Sequence, residues 1–277
     1  MSGAEISEIE ARNALIDAVL AFGVHAESLI LVGSQALYFR TSDLALPVAP
    51  ATKDADFTID KRKLGGAPLL EELLLSAGFS RDPVSGNPGA WVSGDNIPVD
   101  FMVPALLAGT GNRSAELVPH ANYVGRKTDG LEATLLDYSQ EIISSLDGSR
   151  PTVKVNVARE PALLVAKLVK VNERKLEPKR FQNKDCYDIY RLLWATPPEL
   201  IAPRMRLFLT EELTANIVAI ALEALESLFA YSVDSPGSFA AGQAELGIGD
   251  SDLVAARTMA MSRALLEMVR ASASTFK

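Results

Sequence analysis

The sequence predicts an α+β protein, with an α/β core built on a mixed sheet followed by a mainly helical C-terminal domain. Three observations lead there. The apolar run Leu29-Ile30-Leu31-Val32 stops at Gly33-Ser34 and gives way to a helix-like segment; residues 54–59 alternate with the period of a strand; and from Pro161 onward the pattern is helical almost to the end. The expected domains are 1–125, the core with a metal and phosphate site, and 126–277, a mainly helical domain completing that site.

A chain of 277 residues, 48% of them hydrophobic, is enough for a sizeable core in one large domain or two ordinary ones. Cys186 is the single cysteine, which excludes an intrachain disulfide and suits a reducing cytoplasm. Residues 1–10 are acidic where a signal peptide is basic and then apolar, and Glu223 and Glu226 interrupt the longest apolar stretch, at 216–231. The expectation is a cytoplasmic protein with no membrane partner. A formal charge of −8 argues against a protein that coats nucleic acid through its whole surface. The region 167–184 is locally basic nonetheless, with Lys167, Lys170, Arg174, Lys175, Lys179, Arg180 and Lys184 against Glu173 and Glu177.

Taken in order, residues 6–22 carry an amphipathic stripe (Ile6, Ile9, Leu15, Ile16, Val19, Leu20) that Gly23 ends. The strand at 29–32 and the helix at 35–39 follow, then a loop holding Pro47 and Pro50, and the strand at 54–59. A short helix at 68–77 begins at Pro68 and stops at Gly78. Trp91-Val92 and residues 97–103 flank Ser93-Gly94-Asp95-Asn96 as a hairpin. Pro104 to Leu107 reads as the start of a helix, and 113–150 holds only short pieces of strand or helix, at 123–124 and 142–143. Residues 153–157 alternate as a strand, a helix runs 161–175, and Asn183 caps a second at 184–194. Helices at 202–208, 211–231 and 251–271 complete the chain, with a glycine-containing loop at 236–249.

Chemistry concentrates in the first half. In the strand at 54–59, Asp54, Asp56 and Thr58 fall on one face and Ala55, Phe57 and Ile59 on the other. In 97–103, Val99, Phe101 and Val103 share a face and Asp100 takes the opposite one. If the two strands are neighbours, three carboxylates converge, and anions so close raise one another's pKa unless a cation sits among them. Oxygen ligands of this kind suit Mg²⁺ or Mn²⁺ better than zinc. Gly33-Ser34 opens a helix, whose first N–H groups form a seat for phosphate, so the expected chemistry is phosphoryl or nucleotidyl transfer.

A strand, then Gly-Ser, then Asp-x-Asp, then a third Asp on a later strand resembles the nucleotidyltransferase superfamily with its DNA polymerase beta-like core. Gly33-Ser34, Asp54-Ala55-Asp56 and Asp100 match in order, with a long interval from Ser34 to Asp54 that reads as a loop inserted at 41–53. Residues 153–193, with Pro161-Ala-Leu-Leu-Val-Ala-Lys167 and Lys184-Asp185-Cys-Tyr-Asp188, are similar to the C-terminal motifs of the AbiEii-type family that includes the MenT-type toxins. Together the two resemblances imply an NTP-dependent enzyme that moves a nucleoside monophosphate onto an acceptor hydroxyl and releases pyrophosphate. Asp54, Asp56 and Asp100 would be metal ligands, and Gly33 and Ser34 would hold the β- and γ-phosphates. Lys167 would meet the triphosphate, oriented by Asp185. The implied acceptor is RNA at the transfer-RNA 3′ end, the implied role the toxin of a toxin–antitoxin or abortive-infection pair, and the implied partner an antitoxin protein.

Blander readings stand beside these. Gly33-Ser34 also suits a plain strand-to-helix turn, and Lys170, Arg174, Lys175, Lys179 and Arg180, candidate RNA contacts, also suit a solvated helix face. Asp188 pairs with Arg191 on one reading, and the isolated His25 and His120 argue against zinc. Trp91 and Tyr123 are either packing or base-stacking aromatics. Two other functions compete: a small-molecule nucleotidyltransferase of the antibiotic-modifying type, favoured by the acidic charge, and a non-catalytic binding module with the same fold.

Overall fold

A computed structural model describes residues 3–49, 52–177 and 179–271. Met1 and Ser2 of the acidic terminal segment, and Pro50 of the predicted loop, lie outside the described residues. The chain forms two compact units, Met1–Tyr38 with Pro50–Arg159 and Phe39–Ala49 with Glu160–Lys277. The architecture is α+β, with a mixed sheet in the first unit and helices in the second.

The first unit opens with α1 (Gly3–Phe22), which ends where Gly23 takes a φ of 51°. The sheet contains β1 (Leu29–Val32), β2 (Ala55–Ile59), β3 (Ser80–Arg81), β4 (Ala90–Val92), β5 (Pro98–Pro104), β6 (Arg126–Thr128), β7 (Tyr138–Ile143) and β8 (Val153–Ala158). Its order is β3-β4-β5-β2-β1-β8-β7, with β6 paired to β5. The central strands are mixed in direction: β1 runs antiparallel to β2 and parallel to β8, and β2 runs parallel to β5. The expected hairpin forms as β4–β5, closed by Ser93 N–H to the Ile97 carbonyl at 2.9 Å, with Asn96 at a φ of 61°.

One face of the central strands is the core. Ala55, Phe57, Ile59, Val99, Phe101 and Val103 have no exposed surface. Phe22 of α1 packs its ring 4.9 Å from that of Phe101, which lies 5.8 Å from Phe57. Each such side chain, fully buried, contributes about 1.5–3 kcal/mol. The alternation that put Asp56 and Asp100 on the opposite face therefore has a direct cause: every second residue is needed against α1.

Residues 126–159, which the sequence reading grouped with the C-terminal helices, supply β6, β7 and β8 to this sheet. β8 is the strand expected at 153–157, but the side chains of β6 and β7 do not advertise theirs. β7 is Tyr-Ser-Gln-Glu-Ile-Ile, an outer strand with polar residues on both faces, and β6 is Arg-Lys-Thr. Pro104 to Leu107 forms a turn in place of a helix, with the Leu107 N–H bonded to the Pro104 carbonyl at 2.9 Å.

Helix α3 (Leu70–Ser76) starts two residues after Pro68, and its start is set by a histidine. The Leu70 N–H donates to His120 Nδ1 at 3.1 Å, so His120 Nε2 carries the proton and donates to the Gly65 carbonyl at 2.8 Å. His25 Nε2 donates to the Pro68 carbonyl at 2.8 Å, and the two rings meet edge to face at 5.5 Å. Far apart in the sequence, these histidines form one buried clamp on the loop at 64–70.

The second unit contains α4 (Glu160–Arg174), α5 (Asn183–Ala195), α6 (Pro198–Thr210), α7 (Ala215–Leu225), a π-helical turn (Glu226–Ala230), α8 (Pro236–Gln243) and α9 (Ser251–Ala271). Asn183 is the first residue of α5; Gln182 precedes it as N-cap without a side-chain capping bond. The single helix expected at 211–231 starts at Ala215 and widens into the π turn at its end. The loop expected at 236–249 contains α8, whose small residues hide it from a periodicity reading. A Cβ on Gly237 would fall 2.4 Å from the Phe229 ring, and one on Gly242 2.4 Å from the Ser251 carbonyl, so α8 packs through its backbone. No described helix is long and apolar enough to cross a membrane.

The histidine clamp yields a test of this packing. His120→Ala leaves the buried Leu70 N–H without its acceptor, at about 1–3 kcal/mol, and removes a buried ring, at about 1 kcal/mol more. The Gly65 carbonyl, on an exposed residue, can turn to water. A urea titration of the full chain is expected to show a loss of about 2–4 kcal/mol, and an unchanged midpoint would refute the clamp.

Candidate active site

The candidate site is organised by strand register. Antiparallel pairing sets Val32 of β1 opposite Asp56 of β2, and parallel pairing sets Asp56 beside Asp100 of β5. Two carboxylates thus sit on adjacent strands about 4.8 Å apart, at the end of the sheet where β1 hands over to Gly33. Asp54 lies one residue before β2, and its Oδ1 accepts a 2.6 Å bond from the Thr52 hydroxyl. Thr58, expected on the same open face, is fully buried, with the Thr134 hydroxyl 3.5 Å away.

Gly33 begins α2 (Gly33–Arg40) at a φ of 66°. A Cβ there would lie 2.0 Å from Asp56 Oδ2, so the carboxylate occupies the space a side chain would need. Ser34 follows at the half-exposed start of the helix. Gln35 is the residue the sequence reading missed. It is buried, and its side-chain amide donates to the Asp54 carbonyl at 2.8 Å and to the Ala11 carbonyl at 2.9 Å. The first turn of α2 is thereby tied to the backbone of Asp54. The sequence shows only a glutamine directly after Gly-Ser; its burial appears once the chain is folded.

The electrostatics of Asp100 fit a carboxylate short of positive charge. Burial raises its pKa, the Arg126 guanidinium lowers it, and the charges of Asp54 and Asp82 raise it again, leaving it above the ordinary value. Arg126 and Asp82 were also missed, Arg126 because β6 carries no strand signature. Among the described residues, no three or more His, Cys, Asp or Glu gather as a preformed metal cage. Magnesium is ordinarily held by one or two carboxylates together with substrate phosphates and water. The Asp56–Asp100 pair, with Asp54 close enough to act on Asp100, fits that mode in its donor chemistry.

Lys167, Asp185 and Asp188 meet inside the helical unit. Lys167 of α4 is buried, and its Nζ donates to Asp185 Oδ1 at 3.1 Å and Asp188 Oδ2 at 2.6 Å, both on α5. Burial opposes the lysine's charge, but Asp188 and Asp185 outweigh it and hold the pKa above its usual value. Burial likewise works against the Asp185 carboxylate, and Lys167 and Lys170 overcome it, bringing its pKa down to about 2. Asp188 thus engages Lys167, while Arg191 donates to the Val48 carbonyl at 2.6 Å.

The basic stripe is partly committed. Lys170 and Arg174 both donate to Asp185, at 2.9 and 3.0 Å. Lys175, Lys179 and Arg180 stand exposed, with Lys175 on Asn172 at 2.9 Å and Arg180 on Glu177 at 2.8 Å. Trp91 is core, 1% exposed with its indole N–H on the Val124 carbonyl, so it does not present a face to a base. Tyr123 lies beneath the Arg81 guanidinium at 4.7 Å.

No family model matches this chain, and no curated protein does. Among solved structures, a chain from H. pylori described provisionally as a nucleotidyltransferase aligns over 98% of this chain and 99% of its own, at 11% identity. The TM-score is 0.33, a likeness too distant to bear on fold or function.

Proposed function

We propose that this chain is a metal-dependent nucleotidyltransferase, moving a nucleoside monophosphate from an NTP to an acceptor hydroxyl with release of pyrophosphate. The observation that carries the reading is the register that sets Asp56 beside Asp100 and packs Gly33 onto the Asp56 carboxylate. Paired acids next to the first N–H groups of a helix suit a ligand that brings phosphates and divalent cations together. Asp54, Asp56 and Asp100 are the proposed ligands of Mg²⁺ or Mn²⁺, which when bound supplies neutralisation of the phosphate charge and polarisation of the acceptor oxygen. The N–H groups of Gly33 and Ser34 and the Ser34 hydroxyl orient the β- and γ-phosphates. Gln35 holds the Asp54 backbone against the same turn.

The reading assigns Lys167 to the leaving pyrophosphate, with Asp185 positioning it. The 3.1 Å bond between them supports this, and the 2.6 Å bond to Asp188 is what it must overcome, because that bond already satisfies the charge. The proposed acceptor is RNA, at a transfer-RNA 3′ end, with Lys175, Lys179 and Arg180 the exposed cations available to its backbone. The proposed setting is the toxin of a pair neutralised by an antitoxin protein. The net charge of −8 favours a second reading, transfer to a cationic small molecule.

Incubation with labelled NTPs, Mg²⁺ and total RNA is expected to place label on RNA. Label only on an added small molecule would shift the assignment to the second reading, and no label with any acceptor would leave a binding module. Asp56→Asn is expected to reduce transfer about a thousandfold, the loss of several kcal/mol of charge stabilisation, with an unchanged thermal midpoint. Activity within tenfold of wild type would overturn the assignment.

Lys167→Met leaves Asp185 and Asp188 buried without their shared cation. The expected result is a loss of about 3–5 kcal/mol in denaturant unfolding, partly recovered in Lys167→Met/Asp188→Asn. A fully stable single variant that had lost transfer would instead make the lysine's contribution one of chemistry alone.

A further inference from the structure

Arg126 is rooted firmly and tipped loosely. Its backbone is fixed in β6 beside β5, where Met102 pairs with it. Gly89, at a φ of 75°, comes so near that an added Cβ would lie 2.6 Å from the Arg126 nitrogen and 2.2 Å from the Phe101 carbonyl. The guanidinium, by contrast, reaches Asp100 Oδ2 at only 3.4 Å, with the two side chains 33% and 30% exposed. Charge-assisted N–H···O bonds are ordinarily about 2.7–2.9 Å. A loose, half-solvated contact of this kind is weak and readily exchanged. The carboxylate it touches is partly withdrawn from water and lies within the field of Asp54 and Asp82, so it favours a nearby cation.

We infer that Arg126 is the built-in counter-ion of Asp100, occupying Oδ2 until a divalent cation arrives and then releasing it. The released guanidinium, planar and permanently charged, is suited to phosphate oxygens at the same place. This rests on the reading of Asp56 and Asp100 as metal ligands. The consequence is competition: the arginine weakens binding of a bare metal ion and favours a metal that comes with phosphates, for which Arg126 has a second use.

The test measures Mn²⁺ binding to the full chain without nucleotide, by electron paramagnetic resonance of the free ion at low ionic strength. Arg126→Gln is expected to tighten Mn²⁺ about fivefold, the effect of removing one screened unit charge at this distance. Arg126→Lys, which keeps the charge, is expected to stay within about twofold of wild type. In an Asp100→Asn background the Arg126→Gln change is expected to do nothing, which ties the effect to this carboxylate. Unchanged or weaker Mn²⁺ binding in Arg126→Gln, or no Mn²⁺ bound by any variant, overturns the counter-ion role. Label transfer followed on the same preparations separates the two ideas. Transfer that depends on Asp56, with Mn²⁺ affinity indifferent to Arg126, removes the counter-ion alone; fivefold tightening with no transfer by wild type removes the nucleotidyltransferase reading alone.

Discussion

The close approach of Gly33 to Asp56 is the constraint from which the arrangement of the candidate site follows. β1 and β2 are antiparallel, and their register places the last residue of β1 directly opposite Asp56. The chain must then leave β1 through a position where the Asp56 carboxylate already fills the side-chain space, and it must do so at a positive φ. Glycine meets both demands, whereas any L side chain would displace the carboxylate or the turn. Because Asp56 is also in register with Asp100, moving Asp56 would disturb the acid pair as well as the helix start. Gln35 closes this arrangement from the other side by holding the Asp54 carbonyl.

Much of the fold was legible because alternation and helical period record which faces meet a core. Alternation in β2 and β5 was readable since their inner faces pack on α1 without exposure, and the helix at 251–271 was readable for the same reason. What escaped notice packs by other means. α8 approaches its neighbours through Gly237 and Gly242, so it has no apolar stripe to read. β6 and β7 lie where few apolar side chains are required, and their pairing is carried by backbone bonds that the sequence does not encode locally. The histidine clamp joins residues 25, 65, 68, 70 and 120, and its logic exists only after the loop has folded.

The candidate site divides along similar lines. Gly33-Ser34 and Asp54-Ala55-Asp56 are each short local patterns, and Asp100 could be added from its own strand pattern. Arg126, Asp82 and Thr52 have no such pattern; they matter through proximity to carboxylates, a property of the tertiary structure. Lys167 and Asp185 were legible as a pair, whereas the bond from Lys167 to Asp188 joins two helices and is not encoded by spacing within either.

Asp185 and Asp188 on the one hand and Asp56 and Asp100 on the other differ in a way that bears on what each pair can do. Asp185 and Asp188 are surrounded by cations: Lys167 bridges both, and Lys170 and Arg174 add to Asp185, whose pKa falls to about 2. A carboxylate so fully compensated gains little from a further cation, and the desolvation already incurred makes the network costly to open. Asp100 contrasts with them: partly buried, near two further acids, and met by a long contact from Arg126, it has a raised pKa. The free energy released on bringing in a divalent ion is greatest where negative charge is least compensated. On that ground an incoming ion changes more at Asp100 than at Asp185 and Asp188, where Lys167 already bridges the two carboxylates.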